Sequence, residues 1–136
     1  MTDSDRFVGL YALLAAFYGA LDDGTSAEVA ALFTPEGTWM RQGQLLTGPR
    51  EVQDALDERP SNRDSLHLFS NLRITDAGDG IVGLTYGLHV NAGLRAEGGK
   101  IADSDRVTVM MVCCDRAVMT AGGWRFVSRE ASVRFR

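Results

Sequence analysis

A change of periodicity near residues 61–64 constrains this chain more than any other feature. Before it, apolar residues recur at steps of three and four; after it they alternate, and they do so to the C-terminus. Over residues 7–21, the side chains of Phe7, Leu10, Tyr11, Leu14, Phe17, Tyr18 and Leu21 make one stripe, as a helix with one buried face requires. Ser26 is placed to cap a second short helix reaching Phe33, because Pro35 disfavours helical geometry in the residue before it. Residues 38–41 and 45–47 read as a small hairpin about Gln42-Gly43. Pro49 then opens a third helix with Val52, Ala55 and Leu56 inward, and Pro60 stops it.

Beyond the change, Leu66, Leu68, Leu72 and Ile74 share one face of a strand, and His67, Phe69, Asn71 and Arg73 share the other. After a turn at 76–80, Val82, Leu84, Tyr86, Leu88 and Val90 alternate with Gly83, Thr85, Gly87, His89 and Asn91. A glycine-containing connection over 93–105 leads to a strand at 107–120 that is apolar on both sides and therefore central. The turn 121–123 enters a last strand, whose apolar phase shifts to Ala131, Val133 and Phe135, as a bulge would cause. Helices first and long strands afterwards predict one α+β domain over residues 1–136, with the helices on one face of a curved antiparallel sheet. One helical layer covers one face only, so the doubly apolar strand predicts a homodimer through the sheet.

The formal net charge is −4, and Lys100 is the only lysine. No dense basic cluster offers phosphates a surface, so no nucleic-acid partner is expected. No stretch has the length of a membrane span, and residues 1–6 are acidic, without the basic start and apolar run of a signal peptide. The expectation is a cytoplasmic protein with no membrane partner. Cys113 and Cys114 are adjacent, so strand geometry sends them to opposite faces; they read as packing residues rather than as a disulfide framework or a nucleophile.

Two residues stand out for chemistry. Asp22 falls four positions after Tyr18 and continues the buried stripe, and His67 sits within an alternating strand; brought together, they would form a proton-transfer pair. Each also has a plainer use. Asp22 can accept backbone N–H groups at the turn into the second helix, and His67 can be a hydrogen-bonded strand histidine. Amphipathic packing also leaves two arrangements open. If the apolar strand faces meet the helices, His67 and Asn71 point away from them; if those faces form the dimer interface, His67 and Asn71 line the interior.

The order of these elements, with Ala20-Leu21-Asp22 closing helix one, Ala31-Leu32-Phe33-Thr34-Pro35-Glu36-Gly37 entering the first strand, Leu46-Thr47-Gly48-Pro49-Arg50-Glu51 entering helix three, His67 with Asn71, and a Gly-Trp-Arg-Phe segment at 123–126, resembles the SnoaL-like branch of the nuclear transport factor 2-like superfamily. The resemblance covers nearly the whole chain. It implies a cone-shaped fold in which three N-terminal helices pack on a strongly bent antiparallel sheet around a deep apolar pocket. Activity varies widely on this scaffold. The general base of ketosteroid isomerases corresponds to Arg41 and their helix-one tyrosine to Phe17, so isomerisation by that route is not expected. Scytalone dehydratase matches better: its catalytic aspartate corresponds to Asp22 and its first histidine to His67. Its second histidine falls near Asn91, two residues from His89, and a water-holding tyrosine near Arg41 is missing.

The resemblance thus implies a small cofactor-independent lyase or isomerase that dehydrates, isomerises or cyclises an apolar cyclic or polyketide-like metabolite. Asp22 and His67 would be catalytic, Tyr11, Tyr18, Trp39, Phe69, Asn71, His89 and Asn91 would contact substrate, and no metal would be bound. The other implied reading is a non-catalytic module that binds a small ligand or dimerises.

Overall fold

The computed structural model describes residues 1–103 and 109–136; the expected end of the loop at Asp105 and strand start at Val107 lie outside the described residues. Helix α1, Asp3–Asp23, opens on a reciprocal cap in which Thr2 Oγ1 accepts from the Asp5 amide and the Asp5 carboxylate accepts from the Thr2 amide. Its stripe of Leu10, Leu13, Leu14, Phe17, Tyr18 and Leu21 is buried, whereas Phe7 and Tyr11, expected on the same stripe, stay exposed. Helix α2, Ser26–Ala30, is capped by Thr25 rather than by Ser26, through a bond from the Glu28 amide. It also ends earlier than its pattern suggests. Phe33 opens strand β1, Phe33–Arg41, because its side chain fills the core beside Phe126. Gly37 is required in β1, since a Cβ there would lie 2.7 Å from the Phe126 carbonyl oxygen.

Gln42 and Gly43, both at positive φ, turn β1 into β2, Gln44–Thr47, and Pro49 sits in the first turn of α3, Gly48–Asp57, which buries Val52 and Leu56. Four long strands follow: β3, Arg63–Asp76; β4, Ile81–Arg95; β5, Ala102–Thr120; and β6, Gly123–Phe135. Strand β4 therefore extends two residues past Gly93, into the stretch expected to be loop. The sheet order is β2-β1-β6-β5-β4-β3. All neighbours are antiparallel except β1 and β6, which pair in parallel, so the sheet is mixed rather than antiparallel throughout. The chain is an α+β fold, with three helices packed on a curled sheet that does not close. No helix among the described residues is long and apolar enough to cross a membrane.

A bulge in β3 decides which face His67 occupies. The register between β3 and β4 slips between Ser70 and Arg73, and Asn71 takes a left-handed φ of 58° at that point. Before the slip, His67 and Phe69 lie opposite Val90 and Leu88 and face the helices, leaving Leu66 and Leu68 exposed at 54% and 56%. After it, Ile74 lies opposite the buried Leu84. The face shared by Leu66, Leu68, Leu72 and Ile74 in the simple alternation is thus split between outside and inside. The apolar residues of β4 meet the helices and His67 still points inward, so both arrangements read from the sequence are partly realised.

Candidate active site

The last turn of α1 delivers Asp22 to the start of β3. His67 Nδ1 lies 2.5 Å from Asp22 Oδ1, the His67 amide donates to Oδ2 at 2.8 Å, and the Ser65 hydroxyl donates to Oδ1 at 2.7 Å. The two side chains keep only 9% and 5% of their surface exposed. Burial pushes the Asp22 carboxyl up, but the bonds from the His67 ring, the Ser65 hydroxyl and the His67 amide outweigh it and hold the group below its ordinary value. An ionised carboxylate only accepts, so Nδ1 carries the ring proton, and Nε2 is left as the basic nitrogen. Nε2 has no hydrogen-bond partner among the described residues. Asp22 does accept a backbone amide, as the plainer reading had it, but from β3; the turn into α2 is held by Thr25 instead.

Aromatic rings extend from this pair. Tyr18 stacks on the His67 ring with centroids 5.3 Å apart and planes at 23°, Phe69 lies 5.9 Å from Tyr18, and Tyr11 lies 5.0 Å from Phe69. Tyr18 therefore adjoins the pair, and Phe69 and then Tyr11 continue the row of rings away from it. Trp39 packs farther along the interior, 5.4 Å from Phe17 and 6.2 Å from Phe33. Three expected contacts are not brought together with His67. Asn71 is exposed at the bulge, and His89 and Asn91 stand opposite Leu68 and Leu66 on the outer face, because Tyr86, Leu88 and Val90 commit the other phase of β4 to the core.

Sequence reasoning missed a second polar group behind Tyr18. Tyr86 donates to Asp115 Oδ2 at 2.5 Å, Tyr18 and Tyr86 share a hydroxyl contact at 2.7 Å, and Arg129 Nη2 reaches both hydroxyls at 2.7 Å and Asp115 Oδ2 at 3.2 Å. The Arg129 guanidinium also lies 3.9 Å from the Phe17 ring centre. Asp115 and Arg129 are the buried charged residues of the core. Burial raises the Asp115 carboxyl despite the arginine. It works against the charge of Arg129 too, but Asp115 and the two hydroxyls hold that group up, so Arg129 is a cation. Burial likewise raises Tyr18 and Tyr86 and pushes the Cys113 thiol up to about 11, which makes Cys113 an inert packing residue. Among the described residues, Asp115 Oδ1 and Arg129 Nε are buried without a hydrogen-bond partner.

A cleft of about 290 Å³ adjoins the pair from the side of the chain connections; Leu21, Asp22, Ser65, Arg59 and Arg63 are among its walls. Among the described residues, no three His, Cys, Asp or Glu side chains converge as a metal site would need.

An α+β cone with an inward Asp–His pair defines the class of protein. Residues 9–130 match the model of the SnoaL-like domain, and the chain belongs to that family. No curated protein sequence matches it. Among solved structures, the chain is similar to LinA, at 20% identity over 99% of this chain and 92% of that one with a TM-score of 0.80. It is similar to Aln2 from a Streptomyces species, at 20% identity over 98% and 93% with a TM-score of 0.77. It also resembles a protein of Novosphingobium aromaticivorans provisionally named a scytalone dehydratase, at 18% identity over 99% and 89% with a TM-score of 0.80. At these identities the likeness is one of fold.

Proposed function

We propose that this SnoaL-like protein is a small cofactor-independent lyase or isomerase in which Asp22 and His67 form an acid/base pair. The observation that carries the reading is the 2.5 Å contact of His67 Nδ1 with a buried carboxylate, which leaves Nε2 as a base without a partner among the described residues. In the proposed step, Nε2 takes a proton from a substrate carbon and Asp22 stabilises the imidazolium that forms. The proton is then returned to a departing hydroxyl in a dehydration, or to another carbon in an isomerisation. The rings of Tyr11, Tyr18 and Phe69 suit an apolar cyclic substrate. The names of similar structures, a hexachlorocyclohexane dehydrochlorinase at 16% identity and a provisional dehydratase, are those of eliminating enzymes and support the same class.

The ring-opening elimination of 5-nitrobenzisoxazole tests the pair, because this probe needs only a positioned base in an apolar site. The wild-type protein is expected to accelerate it. His67→Ala should lower the rate by about 10²- to 10⁴-fold, the usual contribution of a general base, and Asp22→Asn should also lower it. Folded variants that keep the full rate would overturn the assignment.

A further inference from the structure

Three arginines surround the end of the cone where Asp22 lies, and the acid/base pair makes no use of them. Arg59 and Arg63 line the cleft that Asp22 and Ser65 also line. Arg41, at the end of β1, places its guanidinium 5.8 Å from the centre of the Trp39 ring. Arg59 is held in place: its Nε donates to the Leu56 carbonyl at 3.3 Å and its Nη1 to the Leu21 carbonyl at 3.2 Å, fastening the end of α3 to the end of α1. Among the described residues none of the three forms an ion pair with a carboxylate. They are also close enough to oppose one another. Burial first, and then the charge of Arg63, lowers both Arg41 and Arg59 from the ordinary arginine value.

The acidic residues nearby do not satisfy these cations. Asp22 already accepts from Ser65, from the His67 amide and from the His67 ring, so its oxygens are engaged. Asp57 and Glu58 are exposed. Half-buried guanidinium groups held together without partner anions form a receptor for one, and a planar oxyanion matches their donor geometry.

We infer that the cleft between the ends of α1 and α3 and the start of β3 binds a carboxylate of the substrate, with Arg59 and Arg63 as its donors and Arg41 adding positive charge from β1. The inference rests on the acid/base reading for its link to turnover, since Asp22 and Ser65 line the cleft and bond the histidine strand. It narrows the substrate class to an apolar ring or chain bearing one carboxylate, held beside the residues that move its proton.

Benzoate, with benzamide as its uncharged counterpart, tests this by amide NMR titration of the full chain. Benzoate is expected to shift the Gly24, Ser61 and Ser65 amides in a saturable manner, and benzamide to leave them in place. Arg63 makes no side-chain hydrogen bond among the described residues, so Arg63→Gln should fold and weaken benzoate about tenfold, and Arg63→Glu should abolish binding. Equal responses to benzoate and benzamide, no saturable response to benzoate, or unchanged affinity in both Arg63 variants would each overturn the inference. If benzoate binding depends on Arg63 but no form of the protein catalyses elimination, the catalytic reading falls and the anion site stands.

Discussion

At the scale of single residues, the costly element is the buried charge pair rather than the Asp–His pair. Asp22 lines a cleft, whereas Asp115 and Arg129 lie inside the core, 2% and 5% exposed; Tyr86 bonds both, and Tyr18 bonds Arg129. Removing one charge leaves the other buried and uncompensated, whereas removing both leaves only the hydroxyls to be satisfied. Asp115→Ala and Arg129→Met are each expected to destabilise the protein by about 3–5 kcal/mol, and the double variant by clearly less than the sum. Chemical denaturation of the four proteins checks this; additive losses would show that the two side chains do not depend on one another. Sequence reasoning missed the pair, although the chain holds a partial signal for it. Asp115 is in phase with Cys113 and Ala117 on a strand whose inner face is buried, and the register shift between Arg116 and Ala117 brings Arg129 inward, opposite Asp115, whereas Ala131, Val133 and Phe135, expected to carry the shifted apolar phase, stay exposed. What hides the pair is that a charged residue in an apolar run reads as a surface position until the register is known.

At the scale of elements, one residue in β3 sets the candidate site. The twofold alternation was legible from Leu66 onward, but the strands run longer than it suggested, with β4 reaching Arg95 and β5 beginning at Ala102, inside the stretch expected to be loop. A strict period of two, however, puts Leu66 and Leu72 on the same face, and only the slip at Asn71 separates them. Asparagine tolerates the left-handed backbone, which is the local signal for such a slip, but an asparagine within a strand is also compatible with an ordinary exposed position. The parallel pairing of β1 with β6 was not legible either, because partners far apart in sequence leave no local pattern. A β-branched side chain cannot adopt φ near 58° without strain. Asn71→Val is therefore expected to cost about 1–2 kcal/mol, and Asn71→Gly much less, measured by denaturant midpoint. If Asn71→Val proves neutral, the bulge does not need the conformation it shows here.

At the scale of the whole molecule, the same slip that turns His67 inward turns leucines outward. Leu66 and Leu68 stand on the outer face of β3, which is an edge of the sheet, and Met40 and Leu45 stand exposed near the opposite edge. Between them the outer face carries a groove of about 470 Å³ walled by Met40, Leu45, Thr85, Cys114 and Arg116 among others. The helices occupy the inner face only, so the outer face presents apolar side chains that a lone chain would leave in water. We therefore extend the proposal to a homodimer formed through this face. Sedimentation of the wild-type protein should give a dimer. The double variant Leu66→Glu/Leu68→Glu, which places like charges on both copies of a two-fold interface, should sediment as a monomer with its fold intact. Because His67 and Asp22 lie on the other side of the sheet, the monomeric variant should retain elimination of 5-nitrobenzisoxazole. A wild-type protein that sediments as a monomer would leave the exposed leucines without this explanation.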